Sequence, residues 1–152
     1  MKFLGLLLLI TYVSAFPSGA PEEACEDLTP LHLVSPQTSP FPYTVEVTKD
    51  GDNYKVTLSA TGDDVFRGFL MQARRGTDRT PIGKFEGFNN ESTGLTCNGG
   101  TDNSATHANA VSKKSISVTW NPNGANTDNV QIFVSVVRLF DTFWVRFPAS
   151  LP

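Results

Sequence analysis

The 152-residue chain has room for one domain built around one hydrophobic core. With 39% hydrophobic and 18% charged residues it is composed like a globular protein, which excludes general disorder. A formal net charge of −3 and a pI near 5.3 argue against a nucleic-acid binder, whose affinity needs a basic face, and against a cationic membrane-lytic peptide.

Lys2 gives the chain a positive start, Phe3 to Ile10 an apolar centre, and Val13-Ser14-Ala15 a small-residue cleavage pattern. Together they predict a signal peptide over residues 1–15, cut after Ala15, and a secreted, extracellular domain over residues 16–152. The apolar run is too short to span a bilayer and no later segment is longer, so no membrane span is expected. Cys25 and Cys97 then share an oxidising compartment with no third thiol, and one disulfide is the simplest reading. Two free buried thiols are the competing reading. Metal ligation is not expected, because neither C-x-x-C nor H-x-x-x-H spacing is present.

From Phe16 to Pro42 the chain carries Pro17, Pro21, Pro30, Pro36, Pro40 and Pro42. Each removes an amide donor, which predicts an extended arm with at most one short edge strand near Leu31-His32-Leu33-Val34. Tyr43, Val45 and Val47 then alternate with polar residues, Asp50-Gly51-Asp52-Asn53 signals a turn, and Tyr54, Val56, Leu58 and Ala60 alternate back. In Val65 to Arg74 both alternating faces are partly apolar, so this stretch reads as a central strand, with Gly68 a possible kink. A helix is the alternative, disfavoured by Gly68 and the aromatic residues.

Arg75 to Pro81 reads as a polar loop, and Ile82 to Phe88 as a shorter strand containing Gly83 and Gly87. Asn89 to Ser104 is dominated by Gly, Asn, Thr and Ser and reads as a long surface loop pinned by Cys97. The sequon Asn90-Glu91-Ser92 lies in it, making Asn90 a candidate glycosylation site. Ser115 to Trp120, Val130 to Leu139 and Phe143 to Phe147 read as the last strands, with a turn at Asn121-Pro122-Asn123-Gly124. The expected fold is therefore all-β: an immunoglobulin-like antiparallel β-sandwich of seven or eight strands with an extended N-terminal arm.

Catalytic and cofactor residues are not expected. No G-x-S-x-G or H-E-x-x-H string occurs, His32 and His107 stand apart, and Asp50-Gly51-Asp52-Asn53 fails the calcium-loop pattern. Arg67, Arg74, Arg75, Arg79 and Lys84 gather positive charge around one strand and its following loop. They are a candidate site for anionic microbial ligands such as lipopolysaccharide or lipoteichoic acid, against the plainer reading of a solvated loop. Alternation separates Arg67 from Arg74, which favours the plainer reading. Among the aromatic residues Tyr43, Trp120, Phe143 and Trp144, only Trp144 has neighbours that suggest an outward face for stacking on carbohydrate.

Several stretches together resemble the reeler domain family: Ala24-Cys25 with Pro30-Leu31-His32, Pro42-Tyr43, and Phe66-Arg67-Gly68-Phe69-Leu70-Met71-Gln72-Ala73-Arg74. Gly83-Lys84-Phe85, Cys97, Thr106-His107, Lys113-Lys114 and Trp120-Asn121-Pro122 complete the set. One departure is Leu28, where the family often has methionine. In signal, length and cysteine placement the chain is similar to the small secreted defence proteins of insect haemolymph. The resemblance implies a role in innate immunity: binding microbial surface polysaccharide or lipopolysaccharide, promoting aggregation of haemocytes into nodules, and antimicrobial action. A non-enzymatic extracellular matrix or cell-surface interaction module, with no microbial ligand, is the alternative.

Overall fold

Period-two stretches dictate the architecture, and two glycine-containing turns set its first hairpins. The computed structural model describes residues 16–152; the expected signal peptide lies outside the described residues. The strands are β1 (Tyr43–Asp50), β2 (Asn53–Ala60), β3 (Gly68–Arg75), β4 (Lys84–Glu86), β5 (Ser92–Cys97), β6 (Gly100–His107), β7 (Ser115–Asn121), β8 (Val130–Leu139) and β9 (Thr142–Ser150). They form two antiparallel sheets, ordered β1-β2-β7-β4 and β5-β6-β3-β8-β9. One short 3-10 turn, Glu22–Cys25, interrupts the N-terminal arm.

The core lies between the sheets. Val56, Leu58, Ile116, Val118 and Trp120 face Phe69, Met71, Ala73, Ile132, Val134 and Val136 in one cluster. Burying each of the larger side chains is worth about 1.5–3 kcal/mol relative to leaving it in water. The expected sandwich is thus what forms, with nine strands among the described residues.

The additional strands come from Asn89 to Ser104, which is not a long loop but largely a hairpin. Cys97 pairs with Gly100 around Asn98-Gly99, whose φ angles of +53° and +79° are those of a tight hairpin turn. Asn-Gly is a hairpin signal, but its flanks lack the apolar alternation that makes a strand visible in sequence. Side-chain hydrogen bonds support these strands instead. Asn103 Oδ1 accepts from the Cys97 N–H at 2.8 Å and Asn103 Nδ2 donates to the Cys97 carbonyl at 2.8 Å.

Two further expectations change. Only Lys84–Glu86 of the 82–88 stretch is strand, because Gly83 and Gly87 take φ of +70° and +73° on either side of it. Leu31 to Val34 forms no strand. Val65 to Arg74 joins the two sheets: Phe66 bridges to Lys113 beside β7, and from Gly68 onward the chain is the middle strand of the other sheet.

Several conspicuous residue pairs in the sequence have packing reasons. A Cβ on Gly83 would lie 2.4 Å from the Asn121 carbonyl and 2.8 Å from Trp120 Nε1, which donates to the Ile82 carbonyl. A Cβ on Gly68 would press on the His107 ring at 3.1 Å. Lys113 is 2% exposed, and its ammonium donates to the carbonyls of Arg67, Asn109 and Val111 and to Asn109 Oδ1. Burial lowers its pKa, and the oxygen cage offsets the cost of keeping the charge.

Cys25 and Cys97 form the disulfide, with Cα atoms 5.7 Å apart at a sequence separation of 72. The chain-entropy model assigns a loop of this size about 4 kcal/mol. Replacing both cysteines by serine should lower the unfolding free energy by up to that amount, read as a shift of the urea midpoint. An unchanged midpoint would show that the bond contributes nothing.

Candidate functional site

The face of the five-stranded sheet turned away from the core carries polar residues, yet it is buried. Gln72, Arg74, Ser104, Thr106 and Ser135 are all at most 5% exposed. The N-terminal arm covers them and meets their hydrogen-bonding capacity. Arg74 Nη2 donates to the carbonyls of Cys25 at 2.7 Å and Glu26 at 2.8 Å, Arg146 Nη1 to that of Asp27 at 2.6 Å, and Ser135 Oγ to that of Leu28 at 2.6 Å. Gln72 Nε2 adds a second donor to the Cys25 carbonyl, at 3.1 Å, and Arg74 Nε donates to Gln72 Oε1 at 2.8 Å. Consecutive arm carbonyls are thus held by side chains of β3, β8 and β9.

Leu28 itself has φ +58°, a conformation a leucine adopts only when its surroundings impose it. It is fully buried against Ala24 and Leu70. Further up the arm, Thr106 Oγ1 accepts from the Ala20 N–H and donates to the Phe69 carbonyl. His107 Nε2 lies 2.9 Å from the Phe16 carbonyl and therefore carries the proton, leaving Nδ1 to accept from the Phe69 N–H. His107 is a structural hydrogen-bonder.

Of the candidate binding residues only Arg74 and Arg79 come close, both bonded to Glu26, and the set forms no single exposed basic surface. Arg74 is 5% exposed and spent on the arm; burial, then the neighbouring Arg79 and Arg146, lower its pKa. It offers nothing to a ligand, which corrects its place in a basic surface. Arg75 is exposed but donates to the carbonyls of Asn126 and Asp128. Arg79 pairs with Glu26 at 3.1 Å, and Lys84, on the other sheet, with Glu86 at 3.3 Å. Trp144 does not face outward: it is 7% exposed, its indole N–H donates to the Ser39 carbonyl, and Arg138 lies over its ring. Asn90 is exposed at the turn before β5, while the hydroxyl of Ser92 is occupied by Asn89. Arg67 is exposed, and its guanidinium makes no hydrogen bond or ion pair among the described residues.

Beside the clamp the arm does not seal the sheet. A cavity of about 220 Å³ opens there, with Leu70 and Val137 on the sheet side and Ala24 and Leu28 on the arm side. Phe16, Leu31, Leu139 and Phe140 also line it and are exposed, which no hydropathy pattern in the sequence signals. His32 stands in its wall, its ring 4.3 Å from that of Phe140 and 5.2 Å from that of Phe143. His32 Nδ1 is buried without a partner among the described residues. Desolvation lowers the His32 pKa, outweighing a backbone interaction with Phe140 that raises it.

A model of the reeler domain matches residues 23–151. "Putative defense protein 3" of Antheraea mylitta is 40% identical over 93% of this chain and 88% of its own length. "Defense protein l(2)34Fc" of Drosophila melanogaster is 35% identical over 88% of this chain and 85% of its own. Human "Ferric-chelate reductase 1" is 35% identical over 96% of this chain, which spans only 25% of that longer protein. The crystal structure of the human F-spondin reeler domain superposes with a TM-score of 0.62 at 23% identity, covering 80% of this chain and 92% of that one.

Two outcomes check the geometry. Arg74→Met leaves the Glu26 carbonyl without its donor and should destabilise the fold by about 2–3 kcal/mol in urea unfolding. A folded pKa below the unfolded value of about 6.5 means that His32 binds a proton more readily in the unfolded chain. Stability therefore falls as pH drops through and below that value. An NMR titration of the His32 ring should show a midpoint under 6.5; a midpoint at or above it would contradict the burial described.

Proposed function

This chain belongs to the reeler domain family, and on that premise we propose that it is an extracellular, non-enzymatic defence protein. It works by adhesion, binding microbial surface polysaccharide or lipopolysaccharide and promoting aggregation of haemocytes. The observation that carries this reading is the 40% identity to "Putative defense protein 3" across 93% of this chain and 88% of that protein. The Cys25–Cys97 disulfide fits an oxidising, extracellular setting and supports secretion. Among the described residues no helix is long and apolar enough to cross a membrane.

The exposed Arg75 and Arg79 and the half-buried Lys84 already have partners. Adhesion therefore rests on other surface, and direct killing by lysis does not suit the acidic pI near 5.3. The match to a quarter of human "Ferric-chelate reductase 1" favours a second reading, in which the domain is an interaction module with no microbial ligand.

Retention on whole bacteria, lipopolysaccharide and β-glucan at physiological salt separates the two. Defence by adhesion predicts retention on at least one of them, together with haemocyte clumping. It also predicts that the triple variant R75A/R79A/K84A binds within about twofold of the parent, as expected for weak exposed pairs. No retention on any particle favours the interaction module.

A further inference from the structure

The cavity between the arm and the outer face of β3 and β8 has the composition of a ligand site. We propose that it binds the hydrocarbon tail of a single-chain anionic amphiphile, a fatty carboxylate, with Arg67 meeting the headgroup. The inference goes beyond the defence reading and does not rest on it, since pure compounds test it without any microbial particle.

Size comes first. An apolar cavity of about 150 Å³ stays dry and holds a benzene-sized guest. At about 220 Å³, this one has room for a tail of roughly eight to nine carbons. Its walls suit such a guest: Leu70, Val137, Ala24 and Leu28 offer no charge. The mouth is more telling. Among the described residues the exposed large hydrophobic side chains are few, and four of them line this cavity: Phe16 (37% exposed), Leu31 (50%), Leu139 (47%) and Phe140 (38%). Exposed apolar side chains gathered about one opening mark a surface meant to be covered.

The polar groups identify what covers it. Arg74, Arg75, Arg79, Arg138 and Arg146 all have hydrogen-bond partners. Arg67, which also lines the cavity, has none for its guanidinium among the described residues. A cation left unengaged beside an apolar hole complements a carboxylate with a tail, and guanidinium–carboxylate pairing is the strongest such bond available. His32 Nδ1, buried in the same wall without a partner among the described residues, is a second polar contact for the headgroup. A peptide would need several backbone partners, and the walls supply few.

Calorimetric titration of the full-length protein, as secreted by an expressing eukaryotic cell, with hexanoate, octanoate, decanoate and dodecanoate below their micelle concentrations is the test. Saturable binding at one per chain is expected, tightening about fourfold per added methylene until the cavity fills. Arg67→Gln should weaken decanoate at least fivefold and leave decanol unchanged. Val137→Trp, which fills the cavity from its floor, should abolish both.

Should Val137→Trp fail to fold, a photoreactive decanoate on the parent protein decides instead. Cross-links to the cavity lining, within residues 16–32, 67–70 or 137–140, support the site, and cross-links confined elsewhere overturn it. Absence of saturable binding, affinity independent of chain length, or an Arg67→Gln effect shared by decanol also overturns it. So does self-association of the protein with no decanoate bound even at the highest concentration titrated, which would give the mouth to a second copy of the chain.

Discussion

Everything on the outer side of the five-stranded sheet depends on how backbone carbonyls of the arm are satisfied. A proline-rich segment cannot build a ladder, so its carbonyls need donors from elsewhere. Arg74, Arg146 and Ser135 provide them in sequence order along Cys25 to Leu28, and the Cys25–Cys97 bond fixes the register. The arrangement works in both directions. The arm keeps Gln72 and Arg74 from being buried without partners, and those side chains keep the arm from fraying. A buried arginine with no carboxylate partner is tolerable here because carbonyl oxygens surround it.

The same clamp explains why the sheet has a site beside it. Where the donors end, the arm lifts from β3 and β8 and leaves an apolar hollow instead of a packed layer. His107 holds the arm's start through the Phe16 carbonyl, and Gly68 is small enough to let its ring lie there. Val65 to Arg74 therefore serves three structures at once. Phe66 reaches toward β7, Phe69 and Met71 fill the sandwich, and Leu70, Gln72 and Arg74 carry the arm.

Much of this was legible and some was not. Tyr43 to Ala60 alternates cleanly because one face is wet and the other dry, so its hairpin could be read directly. Val65 to Arg74 reads as a central strand because both its faces are covered. Ser92 to His107 hides its strands, since one flank is buried under polar partners such as Asn103 and not under apolar ones. Trp144 sits among residues that look like an exposed edge, but Ser39 of the arm and Arg138 of β8 close over it.

The residues alone point to an all-β chain with a proline-rich arm, a single pair of cysteines and a reeler-type set of motifs. Period, glycine turns and cysteine count are local properties, and they survive without knowledge of what lies opposite. Tertiary structure alone decides that Arg74 is buried, that Arg75, Arg79 and Lys84 are already paired, and that the Arg67 guanidinium, beside an apolar cavity, has no partner among the described residues. A charge in a sequence carries no record of its partner. For Arg74, Arg75 and Arg79 the partners lie on segments 40 or more residues away.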